Sequence, residues 1–257
     1  MTAPTTPTSC AIAGGVATVT LDLVAKHNAL TPELLDSLGD DLVRAGADDA
    51  ARVVLLTHAG PTFCAGANLG SAGTTSRFDL AHILRIIADL EKPVVGRIAG
   101  GAFGGGVGLA AVCDISLAAV DATFRFSEVR LGVAPAVISV VCLPKMRRAD
   151  AAELFLGGEP FDGRRAAEVG LVTRAVEPAD LDEAVTEVVD RLLLGGPRAL
   201  AAVKRLLAEV PAMGRDEAFA WTTSLSEALF GSPEAAAGIA AFRERRPAPW
   251  VESPGPS

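Results

Sequence analysis

Positive charge is scarce in this sequence of 257 residues: 23 Lys and Arg stand against 31 Asp and Glu, a formal net charge of −8. With an isoelectric point near 5.0, the chain lacks the basic footprint of a general nucleic-acid binder. Two local basic clusters, Lys145-Arg147-Arg148 and Arg243-Arg245-Arg246, read more simply as solvated surface than as phosphate sites. A membrane-crossing run is missing too, since the uncharged Ile98 to Cys113 is short and broken by glycine. The four cysteines, Cys10, Cys64, Cys113 and Cys142, are widely spaced and form no CxxC pair. Neither they nor His58 and His82 have the spacing of metal ligands, so no metal is expected. Reduced, buried thiols of a cytoplasmic protein are the expectation. The opening Met1 to Ser9, rich in Thr and Pro, lacks the apolar core and arginines of a targeting peptide and reads as a frayed tail.

What the chain does have is apolar content. Half its residues are hydrophobic and the mean hydropathy is +0.37, enough for a large core and a subunit interface. Val16 to Leu23 alternates as a strand and forms a hairpin with Cys10 to Ile12 around Gly14-Gly15. Thr31-Pro32 opens a helix running to about Ala47, with Leu34, Leu38 and Leu42 on one face. Val53 to Thr57 and Pro93 to Ile98 read as buried strands, and Phe78 to Leu90 as an amphipathic helix. Further short strands are expected at Ile115 to Ala119, Ala122 to Phe126 and Leu171 to Val176. Ser71 to Arg77 reads as a mobile polar lid, and from Pro178 onward nearly everything is helical. Strand and helix signals that alternate and then give way to helices predict an α/β core with ββα-like repeats and a helical tail.

Two small-residue segments stand out: Gly60 to Leu69, and Ile98 to Leu109 with a helix expected over Val107 to Cys113. Glycine at this density lets another group approach the backbone or lets the chain take positive φ. A helix opening there offers unpaired N–H groups and the positive end of its dipole to an oxygen gaining charge. Gly106-x-Gly108-x-x-Ala111 fits a relaxed dinucleotide fingerprint only weakly, because Asp121 arrives early for a ribose ligand. No lysine follows as a phosphate-cradling loop would require.

Phe63-Cys64-Ala65-Gly66-Ala67-Asn68-Leu69 and Gly101 to Leu109, followed by Cys113-Asp114-Ile115, resemble the two signature segments of the enoyl-CoA hydratase/isomerase (crotonase) superfamily. Asn28-Ala29-Leu30, Phe124 to Pro135, Leu156-Gly157-Gly158, Ala166 to Val172 and Ala241 to Arg246 match in the same order, so the resemblance covers nearly the whole chain. It implies a spiral of ββα turns over residues 1–195 and a C-terminal helical segment, 196–257, that assembles trimers or dimers of trimers. It also implies an acyl-CoA thioester substrate, with coenzyme A part of that substrate and no separate cofactor. The N–H groups of Ala67 and Gly105 would then bind the thioester oxygen.

The carboxylates depart from the usual pattern. The resemblance places a first catalytic glutamate where this chain has Gly108, a second at Glu128, and a third position, used by some isomerases, at Ala136. One acid is therefore present and two are absent. Glu128 among Phe124, Phe126, Val129 and Leu131 suits a carboxyl of raised pKa that exchanges protons, against the alternative of an ion pair with Arg125 or Arg130. A lone glutamate fits a 2-enoyl-CoA hydratase, the glycine and the Pro135 to Ser139 stretch resembling methylglutaconyl-CoA-type hydratases. It also fits a Δ3,Δ2-enoyl-CoA isomerase, and a non-catalytic acyl-CoA binder stays open. The resemblance further assigns Lys26, Ala65, Asn68, Gly104 and Gly108 to substrate binding, with His27 beside the CoA phosphates. Phe242 and Arg245 would reach a neighbouring subunit's CoA.

Overall fold

A computed structural model describes residues 6–67 and 75–251 of the chain. β1 (Thr8–Ala13) and β2 (Val16–Leu21) pair antiparallel. Their two-residue turn, Gly14-Gly15, has φ of 55° and 78°, the backbone that matches the twist of a tight hairpin and that glycine adopts without penalty. α1 (Pro32–Ala47) starts where the Thr31 hydroxyl accepts a hydrogen bond from the Leu34 N–H at 3.3 Å, and it buries Leu34, Leu38 and Leu42.

The chain then repeats one unit. β3 (Val53–His58), β4 (Thr62–Cys64) and α2 (Leu80–Asp89) make the first turn. β5 (Val94–Ile98), β6 (Gly101–Phe103) and α3 (Gly105–Val112) make the second. β7 (Ile115–Ala119) and β8 (Thr123–Arg125) open the third, with α4 (Ala136–Cys142) and α5 (Arg148–Gly157) behind them. β9 (Phe161–Asp162), α6 (Gly163–Glu168) and β10 (Arg174–Val176) complete the core. The first strand of each turn joins a six-stranded sheet, ordered β1-β2-β3-β5-β7-β10, and the second joins a four-stranded sheet, β4-β6-β8-β9. From β2 to β10 the larger sheet is parallel. This is the expected spiral of ββα units.

Four helices close the chain: α7 (Leu181–Leu193), α8 (Pro197–Glu209), α9 (Arg215–Phe230) and α10 (Pro233–Arg243). α7 buries Leu181, Val185, Val188 and Val189 and packs on β5 and β7. The last three helices bury only Ala202 and Ala241, while Leu207, Phe219, Phe230 and Phe242 stand in solvent. Lys204 ties α8 to the core through Asp114, 2.9 Å away, whose carboxylate also accepts the Val94 N–H at 2.7 Å. No helix of the described residues is long and apolar enough to cross a membrane.

Three local readings change. Thr62–Cys64 and Gly101–Phe103 are strands rather than loop, because three-residue strands are too short to show alternation. α3 begins at Gly105, two residues ahead of Val107, since the glycines themselves form its first turn. α4 follows Pro135 in a stretch with no helical signal of its own. Residues 71–74 of the expected lid lie outside the described residues.

Candidate active site

The two small-residue segments meet. After β4, Gly66 turns the chain at φ 83°, and its carbonyl accepts the Leu30 N–H at 2.8 Å. The Ala65 N–H donates to the His27 carbonyl at 3.0 Å, and Leu30 and Ala67 form a parallel bridge. The segment 27–30 is itself held by Asn28, which is fully buried at φ 53°. Its Oδ1 accepts from the Leu23 N–H at 2.8 Å, and its Nδ2 donates to the carbonyls of Ala59 at 3.1 Å and Thr62 at 2.7 Å. A buried amide with its partners supplied on both sides is a rigid brace.

On the other side, β6 runs into Gly104 at φ 49° and ψ −116°, backbone that suits glycine, and α3 begins at the next residue. The crossing of the segments leaves no room for a side chain. A Cβ on Gly66 would lie 2.5 Å from the Phe103 carbonyl oxygen and 3.4 Å from the Gly105 nitrogen, and one on Gly106 would lie 2.4 Å from the Cys64 carbonyl oxygen. The Ala67 amide is thus one residue from a backbone contact that reaches the Gly105 amide. Among the described residues neither of these two N–H groups donates a hydrogen bond. Gly105 is the first residue of α3, where N–H groups have no partner within the helix and the dipole is positive.

Glu128 opens a 3-10 turn, Glu128–Leu131, closed by Gly132 at φ 75°. Phe126, its ring centre 4.0 Å from that of Phe155 with the planes tilted by 34°, anchors the chain just ahead of it. The half-buried carboxyl points at the start of α3: its Oε1 lies 3.1 Å from where a Cβ on Gly104 would stand. Its Oε2 is buried and has no hydrogen-bond partner among the described residues. Burial pushes the carboxyl above its ordinary value of 4.5. The ion-pair alternative fails on geometry, since Arg125 donates to the Gly158 carbonyl at 2.7 Å and Arg130 pairs with Glu159.

Where the resemblance sets a first glutamate, a Cβ on Gly108 would lie 2.4 Å from Ile138 Cγ2. Ile138 of α4, 2% exposed, fills that space. Lys26 is exposed at the end of a 3-10 turn, Val24–Lys26, and Ala65 is half-buried beside His27. Asn68 lies outside the described residues. Phe242, 85% exposed, sits on α10, and Arg245 lies in the turn that follows it.

Two contributors escape sequence reasoning. Ile138 belongs to the Pro135 to Ser139 stretch that carries part of the resemblance, but nothing in that stretch says that it packs on Gly108. His58, 8% exposed, accepts the Ala99 N–H on Nε2 at 3.1 Å and so joins the end of β3 to the approach to β6. Burial, and secondarily Arg97, holds its imidazole below its ordinary 6.5. No group of three or more metal-capable side chains occurs among the described residues.

Comparison with known proteins agrees with the fold. The sequence model of the enoyl-CoA hydratase/isomerase family matches residues 11–253. A Thermus thermophilus protein provisionally named an enoyl-CoA hydratase is 30% identical over 244 residues, covering 91% of this chain and 96% of that protein. The carnitinyl-CoA dehydratase of Proteus mirabilis is 29% identical over 250 residues, covering 92% and 95%. The crystal structure of an enoyl-CoA hydratase from Shewanella pealeana superposes with a TM-score of 0.88 at 30% identity, covering 95% of this chain and 96% of that one.

Proposed function

The chain belongs to the enoyl-CoA hydratase/isomerase family and has the crotonase fold, and from that premise we propose that it adds water across the 2,3 double bond of an acyl-CoA thioester. The observation that carries this reading is the Glu128 carboxyl, unpartnered and set against the start of α3. The thioester oxygen accepts hydrogen bonds from the Ala67 and Gly105 N–H groups, at the positive end of α3. Glu128 takes a proton from water as the water oxygen bonds to C3. The electrons of the double bond move onto the thioester oxygen, giving an enolate. Glu128 then returns the proton to C2, the carbonyl re-forms, and one water has been added. A carboxylate whose pKa burial holds above 4.5 is a stronger base than an exposed one and takes the proton from water more readily. Each amide donor is worth about 3–4 kcal/mol of transition-state stabilisation in enzymes where one has been removed.

Gly104 gives the backbone access the thioester needs, whereas Gly108, expected to do the same, is covered by Ile138; Ala65 offers its carbonyl to the adenine, and Lys26 and Asn68 approach the CoA. The reaction uses no separate cofactor. The bare apolar faces of α9 and α10 pair with further copies of the chain in a homotrimer or a dimer of trimers, bringing Phe242 and Arg245 to a neighbour's CoA. A second reading has support in the sealed space over Gly108: with one proton carrier, Glu128 shuttles a proton between C2 and C4 and the protein is a Δ3,Δ2-enoyl-CoA isomerase. Purified protein given crotonyl-CoA and 3-hexenoyl-CoA separately decides between them. Hydration removes the absorbance of the conjugated thioester, whereas its appearance from 3-hexenoyl-CoA, with crotonyl-CoA untouched, overturns the hydratase in favour of the isomerase.

A further inference from the structure

Glu128 and Ile138 come from one stretch of chain and both pack at the N-terminal end of α3. The 3-10 turn sets the Glu128 carboxyl against Gly104, and α4 sets Ile138 against Gly108. Gly104 is the residue just before α3 and Gly108 is the fourth residue within it, a separation of about 6 Å along the axis at 1.5 Å per residue. The carboxyl therefore stands at the mouth of α3 and the branched alkyl group about one turn deeper. On the acyl-thioester reading above, the thioester oxygen lies at the Gly105 N–H and C3 beside Glu128, which makes Ile138 the next side chain along α3.

We propose that Ile138 is the specificity-determining residue of this site, occupying the space in which a second acid would stand and limiting the bulk tolerated at C3 of the acyl chain. The inference rests on the acyl-thioester reading above but on neither direction of the chemistry. The overlap is the measure of how full the space is: Ile138 Cγ2 stands 2.4 Å, and its Cβ 3.0 Å, from the point a Cβ on Gly108 would occupy. Nothing the size of a methyl group fits between them. A substrate carrying a branch at C3 must displace Ile138, whereas a straight chain lies along it. One methyl group in such a pocket discriminates by about 10–200-fold.

The test uses saturated thioesters, so that binding is read without turnover: butyryl-CoA and its C3-branched counterpart isovaleryl-CoA, titrated calorimetrically against wild type, Ile138→Val and Ile138→Ala. Wild type is expected to favour butyryl-CoA, and the ratio of the two dissociation constants to move at least 10-fold toward isovaleryl-CoA in Ile138→Ala, with Ile138→Val between. Melting temperatures measured alongside separate this from weakened packing, which would loosen both ligands by one factor. Binding of both thioesters with an unmoved ratio overturns the role of Ile138. Binding of neither by wild type overturns the acyl-thioester reading itself, and this inference with it.

Discussion

Gly66→Ala tests whether the crossing of the two backbone segments positions the amides. Gly66 and Gly14 both have positive φ, 83° and 55°, so a Cβ at either costs about 1–2 kcal/mol of backbone strain. Gly14 has nothing within 4 Å of its added Cβ, whereas at Gly66 that atom would meet the Phe103 carbonyl oxygen at 2.5 Å. Ordinary contact begins near 3.4 Å, so the 103–105 backbone must withdraw by roughly 1 Å, and an error of that size costs on the order of 10²-fold in rate. Overpacking adds about 1–3 kcal/mol. Gly14→Ala is therefore expected to lower the melting temperature by a few degrees, at about 2–4 °C per kcal/mol for a chain of this size, and to leave turnover intact. Gly66→Ala should lower it further and reduce kcat about 100-fold on crotonyl-CoA at 20 °C, where both variants are folded by circular dichroism. A folded Gly66→Ala with kcat within threefold of wild type would refute the reasoning.

Three further outcomes are expected. Glu128→Gln should abolish turnover yet not destabilise the fold at neutral pH. The folded-state carboxyl titrates above 4.5 because it is buried, so the folded form binds more protons than the unfolded one as pH rises from 4.5, and wild type loses stability through that window. The melting-temperature advantage of Glu128→Gln should accordingly grow above pH 4.5 and then level; an advantage independent of pH contradicts it. His58 has the opposite sign: its folded pKa lies below 6.5, so the unfolded chain binds the extra proton and stability falls as pH drops below 6.5. Wild type should lose more stability between pH 7 and 5 than His58→Gln, measured by urea unfolding, and equal losses count against it. Replacing Phe219 and Phe242 together by serine should shift the sedimentation of the protein toward monomer, and unchanged sedimentation rejects their place in an interface.

Much of this molecule could be read before it was seen, for identifiable reasons. The long elements announce themselves: the Thr31-Pro32 start and the leucine stripe of α1, or the run Val53 to Thr57 of β3, are dictated locally. The Glu128 carboxyl was legible as an unusual acid because aromatic and aliphatic neighbours crowd it in sequence. The space over Gly108 was not. A glycine says that room is needed, never what takes it up, and Ile138 arrives thirty residues later through the packing of α4 on α3. His58 escaped for the same reason, since its partner Ala99 is 41 residues away. Three-residue strands such as β4 and β6 exist because neighbouring strands supply their hydrogen bonds, which no pattern within them reveals.

α3 has glycine at three of its eight positions and every residue buried. Cut from its surroundings such a segment would be coil, each glycine disfavouring the helix by about 1 kcal/mol relative to alanine. Its positive pole therefore exists only while strands and helices on all sides clamp it. Heating should extinguish catalysis and ellipticity at a single temperature, with no folded but inert species between, which makes activity a gauge of the integrity of the whole chain.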